Sequence, residues 1–81
     1  MLSGYAIWSL LEIHMNSGQW YSLHEIYRIV EEYAALADDD FWPDAPGSKG
    51  IRWQRNVRNV LQKAKKDGRL SWDPPGRYLR K

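Results

Sequence analysis

The stretch "GIRWQRNVRNVLQKAKKDGRL" (residues 50–70) holds four arginines, three lysines, four side-chain amides and one tryptophan near its start. Trp53, Val57, Val60, Leu61 and Ala64 recur within it at the spacing of a single helical face. The spacing predicts a helix that starts near Ser48 or Ile51, runs to Asp67, and stops at Gly68, where a left-handed residue is wanted. Turning that stripe inward leaves Arg52, Arg55, Asn56, Asn59, Gln62, Lys63 and Lys66 outward, and no acid occurs between Lys49 and Lys66. An ordinary solvated helix intersperses acids with its bases for i,i+4 pairing, so this face is unusual.

Upstream, two more helices can be read. Ile7, Leu10, Leu11 and His14 form the i, i+3, i+4, i+7 stripe of a helix from about Gly4 to Met15, closed by "NSG". A short extended piece, "QWY", leads to Ser22, which with Glu25 makes a capping box that opens the second helix. The apolar face of that helix is expected to be Leu23, Ile26, Ile29, Val30, Tyr33 and Ala37. The loop "DDDFWPDAPGSKG" has two prolines and two glycines, which forbid a continuous helix, and it is long for a small domain. After Gly68, "RLSW", the turn "DPPG" and "RYLR" alternate as a two-stranded hairpin, with Leu70, Trp72 and Tyr78 expected on its packed side.

The expected fold class is therefore mainly α with a small β-hairpin (α+β), in the order helix, strand, helix, helix, hairpin. That is the order of a winged helix-turn-helix. With 81 residues the chain has room for one domain, 1–81, with a recognition helix at about 51–67 and a wing at about 69–80. The absence of cysteine excludes disulfides and thiolate metal sites, leaves stability to packing, and fits a cytoplasmic protein. The apolar run "YAIWSLLEI" is interrupted by Ser9 and Glu12 and follows no basic leader, so neither a signal peptide nor a membrane segment is expected.

Charge is divided along the chain. Residues 1–47 carry Arg28 against eight acids, a net −7, whereas residues 48–81 carry eleven bases against Asp67 and Asp73, a net +9. A division of this kind points to an anionic partner for the second half, and nucleic acid is the commonest for a small domain. Arginine matches guanine O6 and N7 with two parallel hydrogen bonds, and asparagine or glutamine matches adenine N6 and N7. Arg52, Arg55, Asn56, Asn59 and Gln62 are accordingly base-reading candidates, with Trp53 added because it sits in the helix's first turn, where side chains lie nearest the bases. The competing role of Trp53 is core packing. Lys49, Arg58, Lys63, Lys66, Arg69 and Arg77 are candidates for the DNA backbone. Phe41 and Trp42 either pin the preceding loop or face a partner.

Other chemistry is poorly represented. Asp38, Asp39, Asp40 and Asp44 lack the ligand spacing and closing glutamate of a calcium loop, and read as a solvated acidic loop. His14 and His24 lie on different helices, as structural or surface residues. No phosphate-cradling glycine loop, nucleophile elbow or paired nuclease carboxylates can be placed, so no catalytic residue, metal or cofactor is expected.

The stretches "YSLHEIYRIVEEYAAL", "VRNVLQKAKKDGRLSW" and "GRYLR" resemble the winged-helix domain of modification-dependent restriction endonucleases of the DpnI type, over about residues 20–80. Val57, Arg58, Asn59, Val60, Leu61 and Gln62 occupy the places of an "IRQQLQ"-like recognition helix, Gly68 the stop, and Gly76, Arg77 and Tyr78 the end of the wing. Val60 stands where the family has a polar residue. The resemblance implies a module that reads N6-methyladenine in duplex DNA of GATC-like sequence, attached in its parent protein to a nuclease domain. A reader of that methyl needs an apolar wall beside a base-pairing amide, and Trp53 and Trp42 are the two candidate walls. Two alternatives stay open: a transcription-regulator winged helix indifferent to methylation, and a protein-interaction winged helix using the acidic first half.

Overall fold

A computed structural model of the chain describes residues 2–43, 45–47, 50–74 and 76–81. Helix α1 (Gly4–His14) begins at Ser3, whose hydroxyl accepts the Ala6 amide at 3.1 Å, and it buries Ile7 and Leu11. Leu10 and His14, expected on the same stripe, are half-buried at its margins. The chain turns extended at Met15, which is itself buried, and after a turn forms β1 (Trp20–Ser22). The capping box is present as read: Ser22 Oγ accepts the Glu25 amide at 3.1 Å, and Glu25 Oε1 accepts the Ser22 amide at 3.0 Å. It opens α2 (Leu23–Tyr33), whose Ile26 and Val30 are buried.

The second helix is shorter than its periodicity predicts. Tyr33 is 53% exposed and stacks on the His14 ring at 3.8 Å, and Ala37 is exposed and lies outside the helix. The backbone turns extended at Ala34, and the chain then enters a 3-10 turn (Asp38–Phe41), where the Asp40 carboxylate accepts the Ala37 amide at 3.0 Å.

Helix α3 (Arg52–Lys66) turns Trp53, Val57, Leu61 and Ala64 into the core, with Val60 half-buried at the edge of the stripe. Full burial of each large aliphatic contributes roughly 1.5–3 kcal/mol. Ile51 stands at the helix N-cap; Ser48, the other predicted start, lies outside the described residues. The other end closes as a Schellman motif. Gly68 has φ +81°, the Arg69 amide reaches Ala64 O at 2.8 Å, and the Gly68 amide reaches Lys65 O at 3.2 Å.

Strands β2 (Leu70–Asp73) and β3 (Arg77–Arg80) form the hairpin, and β1 joins its free side, giving an antiparallel sheet ordered β1-β3-β2. Tyr21, Tyr78 and Trp72 lie directly opposite one another across the three strands, and so on one face of the sheet. Tyr21 and Tyr78 are buried there, but Trp72 is 41% exposed, which corrects its expected burial. Leu70, two residues earlier on the same strand and face, is buried, whereas Trp72 lies nearer the hairpin turn, and the Lys65 ammonium covers its ring at 3.8 Å. Pro74 lies in the turn as expected, and Pro75 falls outside the described residues. The result is a small α+β architecture of three helices and one three-stranded sheet, with α1 packed on α2 and α3, and α3 on β2 and the 3-10 turn.

Candidate nucleic-acid interface

Because four apolar side chains anchor α3, the direction of every other side chain on it is set. Arg55, Asn59, Gln62 and Lys66, spaced by four, three and four residues, are all exposed and form one outward row. Arg52, Asn56 and Lys63 border this row on the side of α1, and Asn56 Nδ2 lies 3.5 Å from Leu2 O. Arg58 borders it on the side of α2, where its Nη1 donates to the Tyr27 hydroxyl at 3.0 Å. The fourth amide, Gln54, is half-buried on that second flank. The row offers only donors and amide acceptors, with the lysines gathered in the last turn, where the helix dipole favours cations.

Trp53 is not part of this surface. It is 2% exposed and meets the Tyr27 ring edge to face at 5.6 Å and 75°. A base could touch it only after the core opened, so its candidacy as a base reader and as a methyl wall is withdrawn. Its indole N–H is buried without an acceptor among the described residues, at a cost tolerated for the packing around it. Trp42 is placed differently. It is 56% exposed, its carbonyl accepts the Arg52 amide at 2.9 Å, and the Arg52 guanidinium lies 5.6 Å from its ring centre. With Pro43, Ala45, Pro46 and Arg52 it lines a shallow apolar depression at the N-terminal end of α3.

The loop carrying Trp42 is held by an acid that the sequence reading placed in solvent. Asp40 is fully buried, and besides Ala37 it accepts the Leu2 amide at 2.9 Å. Burial pushes its pKa up, but the two amide donors and the charge of Arg52 outweigh that, and its carboxyl titrates below the ordinary aspartate value. Phe41, like Trp42, is more than half exposed, at 53%, which favours the second of the two roles open to it, facing outward, over pinning the loop. No group of three or more potential metal ligands occurs among the described residues, and Asp44 lies outside them.

The remaining backbone candidates are partly engaged. Arg69 pairs with Asp67 at 3.0 Å and stacks 4.5 Å from the Trp8 ring centre, while Arg77 pairs with Asp73 at the hairpin turn and lies 6.0 Å from Trp20. Both ion pairs are solvent-exposed, so either arginine can exchange its carboxylate for another anion at little cost. Lys49 lies outside the described residues. Tyr27 and Lys65 were missed by the sequence reading. Tyr27 is brought to α3 from 31 residues away, and no local pattern announces such a pairing. Among the described residues, no helix is long and apolar enough to cross a membrane.

No protein-family model, no curated protein and no solved structure matches the chain.

Proposed function

We propose that the chain is a winged helix-turn-helix that binds double-stranded DNA, lays α3 in the major groove, and reads N6-methyladenine as the specificity module of a modification-dependent restriction system. The observation that carries the reading is the exposed, acid-free row Arg55, Asn59, Gln62 and Lys66, flanked by Arg52 and Lys63. A helix with its side chains is about 10–12 Å across, and the major groove is about 12 Å wide, so Arg55, Asn59 and Gln62 of this row meet base edges while Lys66 in the last turn and the flanking cations meet phosphates. The order of elements and the β1-β3-β2 sheet fit the winged-helix reading, with the β2–β3 turn as the wing tip.

Trp42 supports the methyl preference. An exposed ring beside Arg52, at the end of α3 that enters the groove, offers an apolar wall for a methyl on adenine N6. Burying one methyl contributes about 1 kcal/mol, which gives a bias of several-fold per methyl.

The test is titration of the chain against matched duplexes with unmodified, singly methylated and doubly methylated GATC at two salt concentrations. Tighter binding with each methyl, and steep loss of affinity with salt, is the expected result. Equal affinity for all three duplexes overturns the methyl reading in favour of a methylation-indifferent regulator. Absence of binding at low salt overturns DNA binding altogether and leaves the protein-interaction winged helix.

A further inference from the structure

Arg58 differs from the other arginines expected near a DNA backbone. Arg69 and Arg77 each hold a carboxylate, whereas Arg58 has none among the described residues and donates instead to a neutral oxygen, Tyr27 Oη, at 3.0 Å. Both residues are half-buried, at the seam between α2 and α3. The Tyr27 ring is fixed in turn against Trp53, which is 2% exposed. The guanidinium is therefore held at the surface by a chain of contacts that ends in the core.

A phenolic oxygen accepts hydrogen bonds and has one proton to donate. Arg58 occupies an acceptor position, and the Tyr27 O–H has no acceptor among the described residues. A cation donating to that oxygen strengthens the hydroxyl as a donor, and the guanidinium keeps its other N–H groups for a second partner. Two adjacent donors, one of them cationic and both fixed before binding, match an anionic oxygen group. Pre-ordering also removes the entropy that a free arginine loses on binding.

We infer that Tyr27 and Arg58 form a clamp for one backbone phosphate of bound duplex DNA, on the α2 side of α3. This rests on the DNA-binding reading above and adds Tyr27 to it. The clamp lies across the helix from Arg52 and Lys63, so the two flanks of α3 meet the two opposite walls of the groove, one on each strand.

The test compares wild type, Tyr27→Phe, Arg58→Met and the double variant in duplex titrations over a range of salt, with thermal unfolding of each as a control for the fold. Tyr27→Phe keeps the ring against Trp53 and removes only the hydroxyl; about fivefold weaker binding is expected, with an unchanged salt slope. Arg58→Met keeps the apolar stem, and it is expected to weaken binding to methylated and unmethylated duplexes alike and to lower the salt slope by about one. The double variant should bind no more weakly than Arg58→Met. Undiminished binding by either single variant, or fully additive losses in the double variant, overturns the clamp while leaving DNA binding in place. Absence of duplex binding by the wild type overturns the DNA reading and the clamp with it.

Discussion

The guanidinium of Arg52 lies over the ring of Trp42, 5.6 Å from its centre, and this contact joins the loop before α3 to the first turn of the helix. It places an exposed aromatic beside the outward row of α3, while Trp53, the residue after Arg52, points the opposite way into the core.

The two tryptophans should therefore separate cleanly. Trp42→Ala is expected to change stability by no more than about 0.5 kcal/mol, as for other exposed positions, and to remove the preference for methylated duplexes. Trp53→Ala is expected to cost about 3–5 kcal/mol of stability. Denaturant unfolding and duplex titration measure both, and a destabilised Trp42→Ala protein would contradict the exposure of that ring.

Within the row, position determines the kind of loss. Arg55→Ala and Asn59→Ala should each lose about 1–3 kcal/mol of discrimination between matched and mismatched duplexes. Lys66→Ala should weaken all duplexes equally and reduce the salt slope by about one. Competition titrations with base-substituted duplexes distinguish these outcomes.

Asp40 predicts an acid limb in the stability curve. Its pKa is depressed in the folded chain relative to the ordinary 3.8, so its contribution is complete above that value and disappears as pH falls through the lower, folded pKa. Asp40→Ala leaves the Leu2 and Ala37 amides without this acceptor and should cost about 2–4 kcal/mol near neutrality. Thermal unfolding between pH 7 and about pH 2 should show the wild type converging on the variant as the carboxylate protonates.

Gly68→Ala places a Cβ on a residue with φ +81° and should destabilise by about 1–2 kcal/mol, although nothing crowds the site. The loss should appear as a lower unfolding midpoint.

Local patterns in the sequence determined the elements. The capping box at Ser22 and Glu25, the stripe through Val57, Leu61 and Ala64, and the stop at Gly68 each involve residues within a turn or two of one another, so the chain alone specifies them. The outward row of α3 follows from the same periodicity, because fixing one face of a helix fixes the opposite face. Tertiary structure decided what depends on residues far apart. Whether Trp53 is core or contact depends on Tyr27 covering it from α2; whether Asp40 is solvated depends on the Leu2 amide, 38 residues away; and Trp72 meets the Lys65 side chain of α3 where Leu70, on the same strand and face, meets the core. Periodicity assigns a side chain to a face, but burial depends on what packs against that face, and that is set by the assembled fold.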